Sequence, residues 1–219
     1  ADKKKAIEEM IDAHAGEINR QLAGTRIAAC AEDREIIVDD YPLLPVRRRF
    51  WESVLRAVDV PGTASQLRTQ LKIVHEAVRQ MAEEDLGTTV PADFIFEQIS
   101  PDLRKTGMLL REIDETIRNF DDGTEDGRLA QRLCGLIFLI RKLPLEAVAD
   151  IGVRATPEML ADLMVSDLDN DGTELRKHIP RILKLLADPP PESERPSWLR
   201  KAMQDKGALL IEIEGEYSL

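Results

Sequence analysis

The sequence predicts a mainly α-helical chain that closes on a small β-hairpin, and three observations predict it. Apolar residues recur every three or four positions through most of the chain, the period that lays them on one helix face. Two Trp, two Tyr and five Phe stand beside abundant Leu, Ile, Val and Ala, as in aliphatic helical cores. Only Ala208-Leu-Leu-Ile-Glu-Ile-Glu-Gly-Glu-Tyr-Ser-Leu219 switches to alternation around a glycine turn, the mark of a hairpin.

Residues 2–23 read as one helix, with Ile7, Met10, Ile11, His14, Ile18 and Leu22 on one face and Gly24 closing it. Glu35–Asp39 is a strand candidate, or an extended lead-in to Tyr41-Pro42, where the proline ring excludes the α conformation for Tyr41. Pro45 opens a helix to about Val58, with Phe50, Trp51, Val54, Leu55 and Val58 as its apolar stripe. Pro61-Gly62 breaks it. Thr63–Glu84 follows, with Leu67, Leu71, Val74, Val78 and Met81 expected on its buried stripe. Gly87 ends that helix, and Pro91–Phe96 starts a short one. Pro101–Phe120 is amphipathic through Leu103, Met108, Leu109, Ile113 and Ile117. After an Asp121–Thr124 turn, Gly127–Leu143 is apolar on nearly every face between Leu133 and Ile140, which marks it as the central buried helix.

Beyond Pro144 the texture changes. Glu146–Ile151 is a short apolar segment, and Thr156-Pro157 starts a helix with Thr as N-cap and Pro in the first turn. An Asp/Gly loop, a helix over Thr173–Ala187 and the polar stretch Asp188–Pro196 lead to the hairpin. Three short helices and a hairpin outline a winged-helix-like unit, with an insertion near 188–206 that includes the amphipathic Trp198–Lys206. The expected organisation is an N-terminal helix and connector over 1–40, a helical bundle over 41–143 and the winged-helix-like unit over 144–219.

Net charge of −11 and a pI near 4.9 exclude a surface coated with nucleic-acid-binding charge, though not one basic face on an acidic body. Cys30 and Cys134 match no metal spacing; Cys134 reads as a buried free thiol, and both fit a reducing cytoplasm. No apolar run reaches the ~18 residues of a membrane span, and no signal peptide is visible, so no membrane partner is expected. The start at Ala1 and the stop in a strand-like segment suggest a piece of a longer protein.

Asp167-Leu-Asp169-Asn-Asp171-Gly172 has the first half of an EF-hand loop. Its twelfth position is His178, however, where calcium needs a bidentate Glu, so the loop reads instead as a turn with Thr173 or Asp171 capping the next helix. That helix carries Arg176, Lys177, Arg181 and Lys184 against Glu174 alone. As the third helix of a winged helix it is the candidate DNA-contacting element, and Ile179, Ile182, Leu183 and Leu186 face the core. A solvated charged face or a protein-docking role are the other readings. Pro180 kinks this helix or shifts its start to about Lys177. Arg47, Arg48 and Arg49 point about 100° apart, so they form no flat patch, and at least one pairs with Asp39, Asp40 or Glu52. No G-x-x-x-x-G-K-[ST] loop, G-x-S-x-G elbow or HExxH is present, and no catalytic or metal-ligating residue is assigned.

Several long words resemble one family. Tyr41-Pro-Leu-Leu-Pro-Val-Arg-Arg-Arg-Phe-Trp51 and Gln66-Leu-Arg-Thr-Gln-Leu-Lys-Ile-Val-His-Glu-Ala77 are similar to the central region of the BrxC/PglY family, the large P-loop ATPases of bacterial BREX-type phage-defence systems. The likeness continues through Pro91–Phe96, Asp121–Arg128, Cys134–Pro144 and Glu216-Tyr217. It implies a parent ATPase whose Walker site, with ATP and Mg, lies upstream of Ala1, and a chain without cofactor or activity of its own. Resemblance to AAA+ lids makes 41–143 lid-like and Arg68 a nucleotide-contact candidate, a surface salt bridge being its other reading. Implied partners are double-stranded DNA, other BREX subunits or neighbouring protomers. The alternative is a purely structural docking module without nucleic-acid contact.

Overall fold

The first apolar stripe folds as two helices, α1 (Asp2–Ala13) and α2 (Ala15–Arg20), where one was expected. The break falls at His14, whose ring is held from two sides: Nδ1 lies 2.8 Å from Met10 O and Nε2 2.8 Å from Asp169 Oδ1. The computed structural model describes residues 2–58, 63–203 and 207–219, and the side chains of residue 2 and residues 63–67 lie outside that description. The expected break at Pro61-Gly62, the burial of Leu67 and the end of the Trp198–Lys206 segment fall outside the described residues.

Two acceptors around one imidazole favour the imidazolium, and the carboxylate of Asp169, then Met10 O, raise the His14 pKa. A raised folded-state value means that this contact stabilises fully below the unfolded pKa of about 6.5 and is lost as pH rises through the folded one. Thermal melts from pH 5 to 8 should therefore fall more steeply in the wild type than in Asp169→Asn. Parallel curves would remove His14 as the titrating group.

Glu35–Asp39 is not a strand but part of α3 (Asp33–Asp40). Its β-branched run favours extended backbone, yet tertiary contacts override that preference. Asp33 accepts the Cys30 N–H and a forked pair from Arg49, while Ile37 one turn on is buried. Tyr41 is extended, as its proline requires, and precedes a cis peptide bond. Then come α4 (Pro45–Val58) and α5 (Thr63–Met81), which ends three residues before the expected Glu84. On α5 the expected buried stripe is also corrected: Ile73 and Ala77 are buried, whereas Leu71 and Val78 are exposed.

Pro101–Phe120 is likewise two helices. Pro101 sits inside α6 (Phe94–Lys105), and α7 is Arg111–Asn119. Gly107 at φ +74 and the bond from Leu109 N–H to Leu103 O turn the chain between them. The central helix is α8 (Glu125–Ile140), capped by Thr124, whose hydroxyl accepts the Gly127 N–H. Leu133, Leu136, Ile137 and Ile140 are all buried, as expected of an all-round apolar helix. Gly135 lets the Phe96 ring of α6 lie on the α8 backbone; a Cβ there would stand 2.7 Å from it. Cys134 is a buried free thiol, and burial alone pushes its pKa far up.

Glu146–Ile151 forms no helix. Central to this part of the chain is α8, which packs on α6 and α7 and also on α9 (Pro157–Met164), α10 (Asp171–Ala187) and the hairpin. After α8 come an irregular stretch through Val153–Ala155, α9, α10, then β1 (Ile211–Ile213) and β2 (Glu216–Ser218), paired antiparallel with Glu212 opposite Tyr217. The Tyr217 N–H donates to Ala155 O at 3.0 Å, which joins the hairpin, the wing of the unit expected from the sequence, to that stretch. Thr156 caps α9 as expected, accepting the Met159 N–H. α10 runs continuously through Pro180, without the later start weighed from sequence. The insertion carries a 3₁₀ turn at Glu192–Glu194 and α11 (Ser197–Ala202). It folds back on α7 and α8, where the Trp198 ring meets Phe120 edge-on at 5.8 Å.

Candidate functional site

The basic helix α10 and the wing are the site to weigh, and the four α10 cations have separate fates. Arg176 turns inward, donating to Asp162 Oδ1 at 2.6 Å and Gly172 O at 2.7 Å, with Glu17 Oε1 3.7 Å away. The other oxygen of Asp162 accepts the N–H of Leu22, a residue in left-handed backbone at φ +53. One carboxylate thus ties α9, α10 and the end of α2 together. Arg181 pairs with Asp126 in the first turn of α8, and that bond raises its pKa. Lys177 lies 3.0 Å from Glu174 on the surface. Lys184 is exposed and in no ion pair among the described residues; it borders a shallow groove with Asp188 and Pro189–Pro191.

The wing brings no positive charge. Residues 207–219 contain neither Lys nor Arg, and Glu212, Glu214 and Glu216 are exposed. Ile211 and Ile213, on one face of β1, are 63% and 66% exposed. Phosphate backbones are held by cations free to displace counterions, and carboxylates around them oppose that. On this face the carboxylates of Glu17, Asp126, Asp162 and Glu174 already hold three of the four cations.

The Asp loop is knitted by protein donors. Asp171 Oδ2 accepts the Ser166 and Asp167 N–H groups and the Ser166 hydroxyl at 2.7–2.9 Å, while Asp167 holds Asp169 N–H and Asn170 Nδ2. Asp171 therefore reaches back into the loop, and Asn170, not Asp171 or Thr173, occupies the N-cap position of α10, without a side-chain cap bond. Calcium would have to displace these donors, so millimolar calcium should leave the melting temperature unchanged within about 1 °C. A rise of several degrees with calcium and none with magnesium would contradict that expectation.

The three consecutive arginines diverge, as their spacing requires. Arg48 pairs with Asp40 at 2.7 Å and Arg49 with Asp33 at 2.7 Å, whereas Arg47 is fully buried. Its guanidinium donates to Thr89 Oγ1, Val90 O and Gln21 Oε1. Beside it, Arg132 grips Asp93 with two bonds and donates to Met164 O. Sequence reading missed Asp162, Asp93 and this hub. A lone carboxylate inside Met159-Leu-Ala-Asp-Leu-Met164 was the available signal, since an apolar helix tolerates one only beside a donor. Arg68 stands exposed on α5, and no ion pair joins it to the α10 set among the described residues.

Among the described residues no cluster of His, Cys, Asp or Glu could hold a metal, and no helix is long and apolar enough to cross a membrane. No family model, no curated protein and no solved structure matches this chain.

Proposed function

We propose that the chain is a non-catalytic segment of a large BREX-type P-loop ATPase of the bacterial cytoplasm, engaged in defence against phage. In this reading the winged-helix unit holds other subunits or neighbouring protomers rather than duplex DNA. The observation that carries the choice is the inward commitment of Arg176 to Asp162, beside a wing whose charges are all acidic. Exposed Ile211 and Ile213 inside a rim of glutamates match the apolar centre and polar edge of a protein interface. ATP and Mg belong to a Walker loop that this sequence does not contain. The lid-like bundle can add only a peripheral contact, with Arg68 as its candidate.

Co-expression with the remaining subunits of a BREX system, followed by size-exclusion chromatography, tests the reading. The chain should elute with a subunit, and Ile211→Asp/Ile213→Asp should release it at unchanged melting temperature. Elution of the wild-type chain alone in the presence of every subunit would overturn the docking role.

A further inference from the structure

We infer that α5 carries a second docking surface, an apolar seam of Leu71, Val74 and Val78 that takes an amphipathic partner helix with an acidic flank. The seam begins in the sequence. Ala64, Leu67, Leu71, Val74, Val78 and Met81 are spaced alternately by three and four, the heptad repeat of helices that pack along their length. In the fold α5 turns another face to the body, burying Ile73 and Ala77. Leu71 is 63% and Val78 42% exposed, and Val74 is half-buried between them. Leu71 and Val74 also form one wall of a groove of about 160 Å³, whose other wall is Trp51 and Leu55 of α4. A helix laid in that groove would meet side chains at i, i+3 and i+7, the pattern by which such grooves read a helix.

Charge defines the occupant. Arg68, Lys72, His75 and Arg79 fall at i, i+4, i+7 and i+11, all exposed, as a row along one side of the seam. Among the described residues the one carboxylate paired with this row is Glu76, held by Arg79 at 2.7 Å. On the other side of the seam lie Gln70 and Ala77, and the α4 wall of the groove adds Arg48 and Glu52, 3.8 Å apart, whose opposite charges offset each other. In a chain of net charge −11 this row is a local inversion of sign, and it complements glutamates or aspartates flanking a partner's seam. A second copy fits poorly. Antiparallel pairing would set basic row against basic row, and parallel pairing would oppose His75 with Gln70, which offers no charge. This surface gives Arg68 a role apart from nucleotide, and it stands whether or not the wing docks protein.

The test uses the full chain and two synthetic heptad peptides with Leu at a and d, one carrying Glu and the other Lys at e and g. Fluorescence anisotropy should show saturable binding of the Glu peptide and none of the Lys peptide. Lys72→Glu/Arg79→Glu should weaken the Glu peptide by about tenfold or more. Leu71→Asp/Val78→Asp should abolish binding, with both variants melting like the wild type because the altered side chains are exposed. Equal binding of the two peptides, binding of neither, or an unaffected Leu71→Asp/Val78→Asp chain overturns the proposal. So does a sedimentation dimer that Leu71→Asp/Val78→Asp dissolves, which would make the occupant a second copy. Adsorption of the chain to phosphatidylserine vesicles, lost in the same variant, would assign the seam to a membrane surface and overturn it equally.

Discussion

Ile137→Ala should lower the free energy of unfolding by about 2–5 kcal/mol, read from urea denaturation. Ile137 is fully buried on α8, and that helix is packed against α6, α7, α9, α10, α11 and the hairpin. A helix enclosed by neighbours cannot collapse locally to fill the space left by three lost carbons, so the cavity persists and its cost adds to the lost burial. The midpoint should shift with little change in slope. A loss below about 0.5 kcal/mol, the range of ordinary surface substitutions, would place α8 at an edge.

Arg47→Ala should cost a comparable amount, about 3–5 kcal/mol, by a different route. Burial lowers the Arg47 pKa to about 10, so the side chain is still charged at neutral pH. Truncation would orphan three buried acceptors, Thr89 Oγ1, Val90 O and Gln21 Oε1, and leave a cavity as well. Arg47→Met should fall between, because it restores volume but no donor. Equal unfolding curves for the wild type and both variants would mean that water satisfies these acceptors and that the hub contributes little.

How much of this was legible in the sequence depended on how locally each feature is determined. α4, α8, α9 and the hairpin follow from proline placement, an all-round apolar run, a Thr-Pro cap and strict alternation, and each appears where expected. The breaks at His14 and Gly107 do not follow from periodicity. At His14 the cause is a contact with Asp169 across 155 positions, and at Gly107 a left-handed turn closed by Leu103 O. α3 misled for a related reason: Ile36-Ile37-Val38 favours a strand, but Asp33 and Arg49 anchor a helix. On α5 the heptad was visible, whereas the side facing the body was not, because a seam looks the same whether covered from within or from outside.

The candidate site divides the same way. That α10 is basic could be read directly, and so could the acidity of the wing. That Arg176 turns inward could not, because its partner Asp162 lies fourteen positions away on another helix. A cation counted from sequence is a potential surface charge, and only the fold decides whether a carboxylate has already taken it.

The most direct test of the account is duplex-DNA binding across a salt series, comparing the wild-type chain with Lys177→Glu/Lys184→Glu. Both lysines are exposed, and reversing them should leave thermal stability nearly unchanged. The expected result is no saturable binding near 150 mM salt, and the same weak low-salt signal and slope in both proteins. Saturable binding by the wild type, with a log–log salt slope that falls by about two units in the variant, would contradict it, because α10 would then be holding two phosphates.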